Sequence, residues 1–280
     1  MQNIETPFDQ TRNSTVDSYS SRGSTAYEDP MNKNFLYGDI TVRFLRQIKF
    51  RPEDKFLLDI GCGTGFIFDV LYDNLKAGGI QCFGIEPASG MLKIAERKYK
   101  HGGLFSVGEG SFEKIPFKDR SFDRILSTLA LHWVKSLEVA ALEMRRVLKD
   151  TGQIDILMIA KDDGDNFKKY IVNALRKHLN FSQIMKTATL VQRVNAQQLE
   201  KTFYPFHNDF DIEIKKINDL VYGTFDEHMK WWKARSSPVI AEVKDKAKFM
   251  QDLREEMEKI NSPQGIPFDT AYFCMTIRRK

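Results

Sequence analysis

The chain reads as an α/β protein whose mostly parallel sheet is covered by helices on both faces. Three observations carry this. Short apolar runs alternate with longer amphipathic ones between residues 55 and 160, at the spacing of right-handed βαβ units. The first apolar run passes directly into a glycine-rich turn, Asp59-Ile60-Gly61-Cys62-Gly63-Thr64-Gly65, which opens a helical pattern. The whole chain, 280 residues with 42% hydrophobic and 29% charged side chains, suits one large globular domain with an insertion.

Residues 1–30 are rich in Ser, Thr, Asn and Asp and form a polar arm, taken to run to residue 38 and to fold over something. Residues 39–50 place Ile40, Phe44, Leu45 and Ile48 at helical spacing, with Asp39 as the expected N-cap. A buried strand follows over 55–60 and a helix over 66–75, which Gly78-Gly79 stops. The alternation continues with a strand over 81–85, a helix over 88–99, and strands over 104–107 and 122–129. A helix over 136–149, ended by Thr151-Gly152, leads to a strand over 153–160.

After residue 160 the rhythm changes. Helices are expected over 166–180 and from 195 to 202, then a half-exposed strand over 211–218, where apolar and polar residues alternate. Helical patterns over 225–235 and 239–260 precede a final strand over 271–277. The charges of 239–260 alternate in sign at helical spacing, as on an exposed ion-paired face. The expected organisation is an arm (1–38), a ligand-binding core (39–160) and a helical insertion (161–208). The remaining core strands (209–280) enclose a second helical insertion at about 224–260. Both insertions leave and re-enter at the carboxyl ends of strands, where open α/β sheets bind ligands, so together they should form a lid.

Composition narrows the function. No run approaches the roughly 18 apolar residues of a membrane span, and no secretory pattern opens the chain. A formal charge of +4, with basic residues interleaved among acids, gives no basic stripe for nucleic acid. Cys62, Cys82 and Cys274 show no metal-ligand spacing and read as reduced thiols of a cytoplasmic protein, with no metal expected.

The loop itself is selective. Its glycines give G-x-G-x-G, and Phe66 stands where the dinucleotide fingerprint needs its last glycine. Asp59 adds a carboxylate that a phosphate binder would avoid and a cation would favour. Glu86, at the end of the second strand, sits where an acid accepts hydrogen bonds from ribose hydroxyls. A nucleoside carrying a cationic amino-acid tail satisfies all three features.

Four blocks, LLDIGCGTG, GIEPASGML, GSFEKIPFKDRSFDRILSTLALHWV and LEMRRVLKDTGQ, together resemble the class I S-adenosylmethionine-dependent methyltransferases. The nearest subgroup includes the ubiquinone/menaquinone-type and malonyl-carrier-protein methyltransferases. The resemblance covers about residues 40–160. It implies a Rossmann-like seven-stranded sheet with the last strand inserted antiparallel, which residues 271–277 would supply. It also implies S-adenosylmethionine as cofactor and S-adenosylhomocysteine as product. Carried over by position, Gly61, Gly63 and Gly65, with Cys62 between them, would wrap the methionine part, and Asp59 would hold its amino group directly or through water. Glu86 would bind the ribose, while Pro87, Ala88 and Met91 would line the adenine pocket. Ser111 and Phe112 replace the family's usual Asp-Ala, leaving the Ser111 hydroxyl or the Phe112 backbone to meet the adenine. Ser127 and Thr128 would lie beneath the sulfonium. Lys149-Asp150-Thr151-Gly152 replaces the family's Lys-Pro-Gly-Gly turn.

Transfer from a sulfonium to an acceptor needs alignment and dryness above all, and a base only where the acceptor must lose a proton. His132, at the rim after the fourth strand, is either such a base or a cap for the next helix, and Trp133 should pack over the cofactor. In the lid, Trp231, Trp232 and Arg235 are substrate-binding candidates, Arg235 for a carboxylate or phosphate. By resemblance to relatives whose N-terminal segment folds over the cofactor site, Tyr19, Tyr27 and Tyr37 of the arm are candidates for closing it, and Tyr19, Tyr27 and Trp133 join the substrate-binding candidates. The expected partner is a small carboxylic acid, phenol or amine. The alternatives are an acyl group on a carrier protein, an RNA or protein substrate, and a module that only binds the cofactor.

Overall fold

A computed structural model describes residues 16, 19–20, 28–100, 103–188, 194–235 and 242–280. Seven strands form one sheet in the order β3-β2-β1-β4-β5-β7-β6. They are β1 (Phe56–Ile60), β2 (Gln81–Glu86), β3 (Phe105–Glu109), β4 (Phe122–Thr128), β5 (Leu148–Ile159), β6 (Phe210–Gly223) and β7 (Ile266–Arg279). Strands β1 to β5 pair in parallel, and β7 runs antiparallel between β5 and β6. The order reverses between β1 and β4, so the crevice outside their carboxyl ends is where such a sheet receives a ligand.

Helices follow the expected rhythm: α1 (Pro30–Asn34), α2 (Tyr37–Leu45), α3 (Phe66–Gly78), α4 (Ser89–Tyr99) and α5 (Leu137–Val147). Beyond β5 come α6 (Asp165–Leu175), α7 (Phe181–Ala188), α8 (Ala196–Phe203), α9 (Phe225–Arg235) and α10 (Lys246–Glu258). Two apolar cores flank the sheet. One gathers Phe68 and Leu71 of α3 with Phe44 of α2 and the inward faces of α6, α9 and α10. The other joins Ala140 and Met144 of α5 to Leu199 and Phe203 of α8 and to Phe273 of β7.

Several expected boundaries shift for physical reasons. Helix α2 begins at Tyr37, not after Asp39, because Leu36 and Tyr37 are pulled into the core; Asp39 lies in the first turn and pairs with Arg43 at 2.9 Å. Residues 148–152, expected as helix end and turn, belong to β5, where Leu148 pairs with Phe122 across a register shift. Strand β6 spans fourteen residues, since β7 offers a paired backbone along its whole length. Helix α8 does not cover the crevice as an insertion helix of 161–208 was expected to. It packs against α5 and β6 on the other face.

Other parts of the two insertions lie on the crevice side, where Phe167 and Ile171 of α6, Ile184 of α7 and Trp231 and Trp232 of α9 face a common cavity. Helix α6 packs against α10, whose Phe249, Leu253 and Met257 make its buried stripe. The alternating charges of α10 are not simply solvated. Asp252 meets His178 at 2.8 Å and Lys177 at 3.4 Å, and Glu256 meets Asn173 of α6 at 3.5 Å. The segment 236–241, where a helix was expected to begin, lies outside the described residues. Among the described residues no helix is long and apolar enough to cross a membrane.

Near the amino end of the central strand β4, Arg124 is 1% exposed. Its guanidinium lies 3.6 Å from Asp54 and 3.3 Å from Asp155, and it donates to the Lys49 carbonyl at 3.0 Å. Removing one member of a buried ion cluster strands the others, so Arg124→Met should lower unfolding free energy by about 3 kcal/mol. Urea denaturation measures this, and an unchanged midpoint would contradict the role given to the cluster.

Candidate functional site

The crevice at the switch point is a cavity of about 690 Å³, walled by the glycine loop, the carboxyl ends of β4 and β5, and the lid. A smaller cavity of about 90 Å³ adjoins it and shares Tyr19, Gly61, Glu86, Ala130 and Trp133. The pair has the size of a ligand site with a side compartment.

The loop's glycines do different jobs. All three have positive φ: 75° at Gly61, 55° at Gly63 and 87° at Gly65. A Cβ on Gly61 would stand 2.3 Å from the Ala130 Cβ, so Gly61 lets the loop lie against the segment after β4. A Cβ on Gly63 would meet nothing within 4 Å; its bare backbone borders the cavity. Gly65 does not line the cavity. A Cβ there would strike the Tyr99 ring at 2.3 Å, and the Tyr99 hydroxyl donates to the Gly65 carbonyl at 2.7 Å. Gly65 is therefore a packing glycine between α3 and α4.

Two acids sit under the loop. Asp59 is fully buried at the end of β1, borders the large cavity, and neither carboxylate oxygen has a hydrogen-bond partner. Burial, and secondarily the charge of Glu86, push its carboxyl well above the ordinary range. Glu86 is buried too, but its oxygens accept from Gly63 N at 3.0 Å and Ala88 N at 2.8 Å. Burial raises its carboxyl while those amides pull it back. Glu86 thus ties the loop to β2 and borders both cavities. Cys62 lines the large cavity; burial first, then Asp59 and Glu86, push its thiol well up, so it stays protonated.

The other expected residues divide between the compartments. Pro87, Ala88, Ser111 and Phe112 line the small cavity, and Met91 the large one. Thr128 faces the large cavity, but Ser127 does not; its hydroxyl donates to the Ile60 carbonyl at 2.9 Å and staples β4 to β1. Leu129 follows with φ 55°, an uncommon conformation for a branched residue, and lines the cavity beside it. His132 is buried and borders the large cavity. It does not cap the next helix, because Ser136 accepts from Val139 N there. Trp133 stands where the two cavities meet, with the Tyr19 ring edge-on at 6.5 Å.

Described residues of the arm border this end. Val16 and Tyr19 line the small cavity, and the Ser20 backbone lies so close to Gly90 that a Cβ there would be 2.4 Å from its carbonyl oxygen. Tyr27 lies outside the described residues. Trp231 and Trp232 both border the large cavity, and Arg235 ends α9 with its side chain outside the described set.

The sequence reading missed the polar group at the lid end. Asp163, three residues beyond Ala160, is buried; it accepts from the Tyr37 hydroxyl and, at 3.0 Å, from Ala271 N, with Lys168 at 3.8 Å. The rule that open sheets bind ligands at strand carboxyl ends singles out the turn after β5, and Asp163 is the acid in that turn which folds inward.

Comparison with known proteins agrees with this architecture. A family profile for a methyltransferase domain matches residues 58–156. An uncharacterized protein of Methanocaldococcus jannaschii, MJ1252, is 30% identical over 216 residues, covering 71% of this chain and 78% of that protein. The malonyl-[acyl-carrier protein] O-methyltransferase of Erwinia pyrifoliae is 38% identical over 98 residues, 35% of each chain. The chain therefore spans only about a third of that enzyme's length. The solved phosphoethanolamine N-methyltransferase 2 of Haemonchus contortus shares the fold, with a TM-score of 0.60 at 16% identity over all of this chain and 62% of that one. The chain belongs to the class I S-adenosylmethionine-dependent methyltransferase family.

Proposed function

We propose that the protein transfers a methyl group from S-adenosylmethionine to a small-molecule acceptor enclosed beneath the helical lid. The observation that carries this is Asp59, a wholly buried carboxylate without a partner at the wall of the cavity. A buried ion costs several kcal/mol unless a counter-charge meets it, on the order given for uncompensated charges. An amino-acid ammonium, reached directly or through one water, is that counter-charge.

The other residues fit the same ligand. Gly63 leaves the loop open beside Asp59, and Glu86 offers acceptor oxygens to a ribose. Ser111, Phe112 and Pro87 make a small, largely apolar compartment for a base, with Tyr19 and Trp133 across it. The cofactor, when bound, supplies an electrophilic methyl on a positively charged sulfur that leaves as a neutral thioether. The chain supplies position and dryness: Thr128, Leu129 and His132 line the cavity between the loop and the aromatic lid.

Asp59 makes the proposal testable by proton linkage. Its raised carboxyl holds a proton to higher pH than an ordinary aspartate, and a bound ammonium favours the ionised form. Binding of S-adenosylhomocysteine should then release protons at pH values above the ordinary aspartate range and below the usual α-amino range. Calorimetry in buffers of different ionisation enthalpy reads this directly. The sign for stability is opposite: the ligand-free chain loses stability as pH rises from the unfolded carboxylate range toward the raised native value. Asp59→Asn should therefore be more stable than the parent at neutral pH without ligand, yet bind roughly a hundredfold more weakly. An absence of binding by the parent chain, or capture of a dinucleotide instead, contradicts the proposal.

A further inference from the structure

The sheet ends on two strands, β3 and β6, and they are unequal. Strand β3 has five residues, whereas β6 has fourteen. An exposed edge offers a row of backbone donors and acceptors to another chain, and proteins blunt it with brevity, prolines, bulges or charge. Strand β6 is long, carries no proline, and follows β7 from Phe210 to Gly223 without a register shift. No described strand lies beyond it. Its apolar residues lack cover: Ile212, Ile214, Ile217 and Val221 are only half-buried, and Leu220 and Tyr222 are 54% and 38% exposed.

What β6 does carry is charge, at Asp211, Glu213, Lys215, Lys216 and Asp219. Scattered charge keeps edges apart, so its order along the strand is the informative feature. Directly opposite residues of an antiparallel pair share a face. When a strand pairs with its own copy, the two-fold axis therefore falls at a residue and not between residues. The axis that uses the most strand falls at Ile217 and aligns residues 211–223 with 223–211 of the copy. It sets Lys215 opposite Asp219 twice, once on each side of the axis. Ile212 then faces Tyr222, Ile214 faces Leu220, Lys216 faces Asn218, and no like charges meet.

Neighbouring registers lose this match. With the axis at Lys216, that residue faces its own copy and Glu213 faces Asp219. With the axis at Asn218, Lys215, Lys216 and Asp219 all face apolar residues. Within one chain Lys215 pairs with Glu213 at 2.7 Å and Asp219 with Arg43 at 3.2 Å, yet all four side chains are at least 39% exposed and within reach of a second charge.

We propose that two copies of this chain associate through β6, as an antiparallel two-fold pair centred on Ile217 that joins their sheets edge to edge. No residue of β6 lines either cavity, so this association stands apart from the methyl-transfer reading.

The test is the mass of the full chain in solution, by sedimentation equilibrium over a range of concentrations. The parent chain should associate to twice its own mass. Lys215→Asp sets two carboxylates against each other on both sides of the axis, and Asp219→Lys sets two ammoniums there. Each substitution should weaken the dimer roughly tenfold. Mixed in equal amounts, the two variants should recover the parent's association, because the mixed pair again opposes unlike charges at both places. Damage to the fold of either variant would not be repaired by mixing. A parent chain that stays monomeric overturns the proposal, as does a dimer that both substitutions leave unaltered or that mixing fails to restore.

Discussion

A carboxylate buried at the end of a central strand with nothing to satisfy it is costly, and Asp59 is such a group. Around it the architecture looks arranged to keep the site open. Glu86, which would otherwise add a second uncompensated charge, is absorbed by the amides of Gly63 and Ala88. That leaves the loop pinned to β2, with backbone free of side chains beside Asp59. The loop's left-handed glycines, the Gly61 contact with Ala130 and the Gly65 contact with Tyr99 fix this shape. A cationic ligand beside Asp59 would offset the cost of burying that acid.

Closure comes from two directions. The arm borders the smaller cavity through Tyr19 and rests on the amino end of α4 at Gly90. The insertion helices border the other end with Trp231, Trp232 and Phe167, and the turn after α6 is fastened to α10 by His178 and Asp252. The two covers meet at α1 and α9, where Asp29 pairs with Lys230 at 2.7 Å and the Phe35 ring lies 5.3 Å from His228. Arm and lid thus share an interface, so order in one favours order in the other.

Much of this was legible in the sequence, and the reasons are specific. Apolar runs such as FLLDI and ILST mark strands buried on both faces, and a strand that runs into G-x-G-x-G leaves few alternatives for the turn. Asp59 and Glu86 were readable because their places follow from strand ends. Roles that depend on side-chain contacts across the fold were not. Gly65 looked like its two neighbours until Tyr99, thirty-four residues on, proved to occupy the space its Cβ would need. Ser127 looked like a site hydroxyl, but strand pairing turned it onto Ile60. The amphipathic pattern of α8 showed that it buries a face and not which core receives it. The pairing of Tyr37 with Asp163 joins an arm helix to a turn beyond β5, and no local pattern encodes it.

The central claim is that the buried charge of Asp59 is matched by the amino-acid end of the cofactor. It is tested most directly by a thermodynamic cycle over two proteins and two ligands. The affinities of S-adenosylhomocysteine and of methylthioadenosine, which lacks the ammonium and carboxylate, are measured for the parent chain and for Asp59→Asn. The account predicts a large advantage for S-adenosylhomocysteine with the parent chain that nearly vanishes in the variant. Equal advantages in both proteins would show that Asp59 does not meet that ligand's charge, and would contradict the account.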